Sequence, residues 1–163
     1  MKNKTIAKTA LLAALSIIFG YIEHLLPLPI PVYGAKIGIS NIVILTSLYL
    51  LPGALSWGIL LIKVFVSSLL FNGFSAFLYS FSGGVLSLIV MQILKKSGKF
   101  GIIGISVAGA VSHNIGQLIC ARLILSSLSI WAYLPMLIFI GIISGIVIGL
   151  ITELTLRRIS AHL

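Results

Sequence analysis

Ile138-Phe-Ile-Gly-Ile-Ile-Ser-Gly-Ile-Val-Ile-Gly-Leu-Ile151 decides the fold class. A membrane β-strand alternates apolar and polar residues over about ten positions. This run does not alternate, and neither does 55–70. A segment that is apolar all round reads as a helix sunk in lipid. Its three glycines, Gly141, Gly145 and Gly149, stand four apart and form a double G-x-x-x-G. Inside a bilayer helices associate by close backbone approach, so this stripe is expected to be a helix-packing face. The chain reads as all-helical.

Composition extends that reading to the whole chain. Of 163 residues, 60% are hydrophobic and only 8% charged, with mean hydropathy +1.25. Soluble domains carry about 25% charged residues, so this composition cannot build a water-facing surface. Disorder, collagen and disulfide scaffolds are excluded by the apolar content, the absence of a glycine period of three, and the lone Cys120. An integral membrane protein remains. Turn signals at Pro27, Pro29 and Pro31, at Pro52-Gly53 and at Asn72-Gly73 divide it. They predict six spans at about 5–26, 37–51, 54–71, 74–94, 100–126 and 130–156, in a single transmembrane domain covering 1–163. The second is short, so spans 2 and 3 are expected to form a tight helical hairpin.

Charge placement supports six. Lys2, Lys4 and Lys8 precede span 1, Lys95, Lys96 and Lys99 follow span 4, and Arg157 and Arg158 follow span 6. Six crossings put all three groups on one face, leaving Lys36 alone in the opposite loops. The positive-inside rule then predicts cytoplasmic termini in a multi-pass cell-membrane protein, with span 1 kept as a helix. A net charge of +9 sits mostly at span ends. It reads as topology and lipid anchoring, with no nucleic-acid partner.

Ionisable or amide side chains within spans are expensive in hydrocarbon and mark candidate sites. Ser112-His113-Asn114-Ile115-Gly116-Gln117 places four hydrogen-bonding side chains within two turns of span 5. They form either a polar network tying helices together or the lining of a ligand pocket. One histidine among amides is too few ligands for zinc. Glu23 and His24 end span 1, Lys36 opens span 2, and Arg122 lies late in span 5. Lys63 sits in mid-span 3, where it either snorkels or pairs with Glu153; Arg122 either snorkels or pairs with Glu23. The apolar loop 26–36 carries Pro27, Pro29, Pro31 and Tyr33. It reads equally as a lid over an outward cavity and as a rigid linker among lipid headgroups. Ala10 and Ala14 give span 1 a small-residue face suited to a partner helix. Phe71, Phe74, Trp131 and Tyr133 are belt or stacking aromatics.

Several chemistries are missing. Ser97-Gly98-Lys99-Phe100 lacks the spacing and the hydroxyl of a P-loop, so active transport would need energy from another subunit. The chain contains no aspartate, hence no aspartate-rich magnesium site for a diphosphate. The sequence therefore predicts a non-enzyme with no cofactor and no metal.

The start Thr5-Ile-Ala-Lys-Thr-Ala-Leu-Leu-Ala-Ala-Leu15, with Pro27-Leu-Pro-Ile-Pro31, Gly38-Ile-Ser-Asn41 and Ser112-His-Asn-Ile-Gly-Gln117, resembles the Gx transporter family, also labelled heptaprenyl diphosphate synthase component I. The resemblance spans nearly the whole chain. It implies kinship with the substrate-binding S components of energy-coupling-factor (ECF) transporters, six-helix proteins that dock a coupling subunit through A-x-x-x-A on helix 1. Ala10 and Ala14 match that motif, and 26–36 corresponds to the gating loop. The expectation is a subunit that captures a small metabolite or vitamin-like molecule from outside, working with a coupling subunit and ATPases. Glu23, Lys36, His113, Asn114, Gln117 and Arg122 are expected to line the site. The alternatives are a non-catalytic membrane partner of a heptaprenyl diphosphate synthase, or of a quinone or flavin redox assembly.

Overall fold

The computed structural model describes residues 2–25, 38–126 and 128–161. Pro27, Pro29, Pro31, Tyr33 and Lys36 lie outside the described residues. The elements are α1 (Lys2–Leu25), α2 (Ile39–Leu50), α3 (Gly53–Ser67), a π-helical turn (Ser68–Asn72), α4 (Gly73–Ser97), α5 (Ile102–Leu125), a 3-10 turn (Leu128–Tyr133) and α6 (Leu134–Ala161).

Five helical stretches are long and apolar enough to cross a bilayer: Asn3–Leu25, Gly53–Phe71, Gly73–Ser97, Ile102–Leu125 and Ser129–Ala161. The sixth, α2, has only 12 residues. At 1.5 Å per residue it spans about 18 Å against a hydrocarbon core of about 30 Å. Only Leu51 and Pro52 separate it from α3, so the two form a hairpin. Pro52 ends α2 and stands as the N-cap residue of α3, with φ −55°.

The helices form a closed ring in the order α1, α2, α6, α5, α4, α3 and back to α1. The hairpin supplies much of the apolar core: Ile44, Leu45, Leu48, Ile59, Leu60 and Val64 are buried together with Leu88, Ile105 and Ile148. Glycines set the tightest helix contacts. A Cβ added at Gly145 would lie 2.6 Å from Val107 Cα, and one at Gly149 would lie 2.8 Å from Ile103 Cα. A Cβ at Gly141 would lie 3.0 Å from Asn114 Nδ2. The whole stripe therefore faces α5. Across the opposite side of α5, a Cβ at Gly83 would approach His113 O to 2.7 Å, and one at Gly116 would approach Ser82 O to 2.8 Å. Ser82 Oγ donates to Gly116 O at 2.7 Å in the same contact.

In span 5 the small residues Gly104, Ala108, Ser112, Gly116 and Cys120 stand four apart, the spacing of a packing face. The first of them makes no helix contact: Gly104 is exposed, and an added Cβ would meet only Phe100, just before the helix. Gly109, packed on Met91 and Ser87, does that work instead.

Both ends of the short α2 meet a charged side chain of matching sign. Lys95 of α4 donates to the carbonyl of Leu48 in its last turn, and its ammonium lies 4.8 Å from the Tyr49 ring centroid. The last turn of a helix leaves carbonyls without partners, and a lysine there satisfies one of them. Beside it, Gln92 donates to Gly53 O at 3.1 Å and accepts from Trp57 Nε1 at 3.2 Å, so α4 clasps the turn of the hairpin. Lys95→Met is expected to lower stability by about 1 kcal/mol, read as a fall in the thermal unfolding midpoint in detergent.

A polar cavity ringed by six helices

Glu23, two residues before the end of α1, accepts the backbone N–H of Gly38 through Oε1 and the Ser40 hydroxyl through Oε2 at 3.3 Å. Gly38 precedes α2 with φ +81°, a left-handed conformation that glycine adopts at little cost. Its carbonyl accepts from Asn41 N at 2.8 Å. Glu23 thus closes the N-terminal end of α2, where unpaired N–H groups and the helix dipole favour an anion. One turn in, Asn41 presents Oδ1 to Lys63 Nζ of α3 at 3.0 Å. Glu23, Ser40, Asn41 and Lys63 form a polar chain across α1, α2 and α3.

Span 5 completes the enclosure. Its buried Asn114 donates through Nδ2 to Leu137 O of α6 at 2.7 Å. Gln117 is only 6% exposed and lines the hollow. It is held against Gly83 of α4, where any side chain would displace it.

These groups surround one cavity of about 50 Å³. Its lining includes Glu23 of α1, Ser40 and Asn41 of α2, Lys63 and Ser67 of α3, Ser80 of α4, His113, Asn114 and Gln117 of α5, and Ser144 of α6. Every helix of the ring contributes a polar side chain. A buried water needs roughly 10–15 Å³ of such space, so the hollow has room for about three to five.

Of the expected lining, Glu23, His113, Asn114 and Gln117 come together here. Arg122 stands in the last turn of α5, beyond the lining, and Lys36 is outside the described residues. The two conjectured ion pairs do not form as drawn. Glu153 binds Arg157 one turn along α6 at 2.6 Å, while Lys63 turns to Asn41 and Glu23 to the start of α2. The reason is reach: a neighbouring amide or N–H solvates each charge without a long side chain having to cross the bundle. Sequence reasoning placed Lys63 apart from the site. Asn41 and Lys63 are equidistant from Pro52, so a hairpin puts them level, and that spacing was the available signal. Ala10 and Ala14 remain exposed on α1, beside an apolar groove lined by Thr5, Ile6, Thr9, Ala13, Leu55 and Ile62.

Fold and site together define a multi-pass helical membrane protein with an internal polar cavity. The sequence profile of the family described as heptaprenyl diphosphate synthase component I matches residues 12–155, and the chain belongs to that family. No curated protein and no solved structure matches it.

Proposed function

We propose that this protein is a membrane-embedded capture subunit, like the S components of ECF transporters, which receives a small ligand from outside the cell. The observation that carries this reading is the convergence of polar groups from all six helices on one hollow, Gln117 among them. A network serving only to tie helices together would have no reason to enclose a polar hollow. In this reading α2 counts as the sixth, shortened crossing. Both termini, with Lys95, Lys96 and Lys99, face the cytoplasm, and the cavity end of the bundle faces out. Residues 26–36, with Pro27, Pro29, Pro31 and Tyr33, close over that end, and Lys36 and Arg122 guard its mouth. Exposed Ala10 and Ala14 form the docking face for a coupling subunit driven by ATPases. In this reading the chain performs no prenyl transfer itself, since it has no aspartate to hold a magnesium diphosphate.

A second reading rests on the family's description: a membrane partner of the remaining component of a heptaprenyl diphosphate synthase. Native mass spectrometry of the complex extracted from its own membrane separates the two. A bound small-molecule mass together with a coupling subunit and ATPases supports capture. A prenyl synthase component without them, or prenyl transfer by this chain alone, overturns it.

Lys63 is the group whose removal bears most directly on ligand affinity. Lys63→Met is expected to weaken the copurifying ligand about tenfold, the loss of one charge-assisted contact. The readout is thermal stabilisation against ligand concentration, which follows RT ln(1 + [L]/Kd).

A further inference from the structure

Two hollows of opposite character meet at Ser68. On one side lies the polar cavity. On the other is an apolar groove of about 220 Å³ lined by Phe65, Leu69, Gly73, Phe74 and Phe77, with Ser68 common to both linings. Leu69 and Phe74 are 71% and 74% exposed, so the groove opens to the hydrocarbon. Its floor continues along a ladder of rings, Phe74 to Phe77 at 6.2 Å and Phe77 to Phe81 at 5.7 Å. Ser68 itself is buried and opens the π-helical turn, where the Gly73 N–H reaches back to the Ser68 carbonyl. A π turn is wider than an α turn and is often found at functional sites. Here it places a small hydroxyl side chain at the partition between the two hollows.

The size of the cavity limits its guest. Space for about three to five waters admits a carboxylate or a single phosphate, but no ring system of vitamin size. The lining is rich in donors: the Lys63 ammonium, the Gln117 amide and the hydroxyls of Ser67, Ser80 and Ser144. The Glu23 carboxylate, the strongest acceptor, turns to the start of α2, while the Lys63 ammonium, which donates to Asn41, carries the positive charge of the hollow. Such a lining favours an oxygen-rich, anionic group. Anything larger attached to that group must leave the cavity, and past Ser68 the surroundings are apolar.

We propose that the ligand is an amphiphile, with a compact anionic head in the polar cavity and one slender apolar tail lying past Ser68 in the groove between α3 and α4. This rests on reading the cavity as a ligand site and names the substrate class of that site.

The test uses the full-length protein in phosphatidylcholine nanodiscs with palmitate carrying a diazirine near its tail end. Photolabelling of the peptide spanning 65–77 is expected to saturate. Unlabelled palmitate or hexadecyl phosphate should compete, and the one that competes better identifies the head as carboxylate or phosphate; palmitate methyl ester should not compete. Lys63→Met and Ser68→Phe are each expected to raise the half-saturating concentration about tenfold. Leu69→Trp fills the groove from an exposed position and should do the same without touching the core, which covers the case in which Ser68→Phe does not fold. Labelling that fails to saturate, or that is unchanged in Lys63→Met and Leu69→Trp, is ordinary boundary lipid and overturns the proposal. A water-soluble ligand that stabilises wild type and Leu69→Trp equally would also overturn it, while leaving capture by the cavity intact. Loss of the capture reading shows differently, as no saturable ligand of either kind.

Discussion

Gly145→Val is expected to destabilise the protein by about 3 kcal/mol or more, the largest effect of any single substitution considered for this chain. The first added carbon would already stand 2.6 Å from Val107 Cα and 3.1 Å from Val107 N. Those are backbone atoms of α5, which cannot swing aside as a side chain can. Relief requires separating α5 from α6, and lipid offers no hydrophobic drive to hold a loosened pair together. The loss would spread to Gly141 and Gly149 on the same stripe and to the Asn114–Leu137 bond that spans the interface. Gly58→Ala is the matched control, since an added Cβ there meets nothing within 4 Å. The single Cys120, half-buried in α5, reports unfolding through a thiol-reactive fluorogenic dye. The expected record is a clearly lowered midpoint for Gly145→Val and an unchanged one for Gly58→Ala. Equal midpoints for wild type and Gly145→Val would show that the two helices do not pack through this stripe.

Glu23→Ala is expected to cost about 3 kcal/mol, because it strips the acceptor from two donors at once. The Gly38 N–H and the hydroxyl of Ser40, a residue only 2% exposed, would be left without their partner. The favourable charge at the N-terminal end of α2 would go as well. Glu23→Gln keeps an acceptor oxygen but not the charge and is expected to lose about 1 kcal/mol. The same dye assay reads both. The ordering decides the residue's role: if Gln is as damaging as Ala, the charge matters and not the hydrogen bonds. If neither variant is destabilised, Glu23 does not hold α2.

How much of this was legible beforehand depends on whether a residue's neighbours lie on its own helix. Within α5, helical spacing alone put His113, Asn114 and Gln117 on one side, and all three line the cavity. The stripe Gly141, Gly145 and Gly149 likewise declares itself by period, although nothing in the sequence says that α5 is what it meets. Glu23 was recognisable as an expensive residue near a span end, but its engagement with α2 depends on Gly38 taking up a left-handed turn and bringing Ser40 back toward α1. Lys63 was recognisable as a cation in mid-span, yet its partner is fixed by the two-residue turn of the hairpin. Ser40, Ser67, Ser80 and Ser144 gave no signal. A serine is common in membrane helices and can bond its own preceding turn, as Ser112 does with Ala108 O at 2.6 Å. Only the ring of neighbours decides which serines face inward. The length of α2 was underestimated as a feature, because a short apolar run looks like a poor crossing until both of its ends are seen to be matched by charge.

That matching gives the molecule a lever. The carboxylate gripping the start of α2 is carried by α1, which is the least enclosed of the five long helices. The far end of α2 is pinned by a lysine rooted in α4. A push on α1 from the surrounding membrane, or from a protein seated against it, would therefore swing one end of a short strut whose other end is hinged. Because Asn41 rides near the moving end and holds the ammonium of Lys63, a shove at the lipid-facing rim becomes a change in the chemistry at the centre of the bundle.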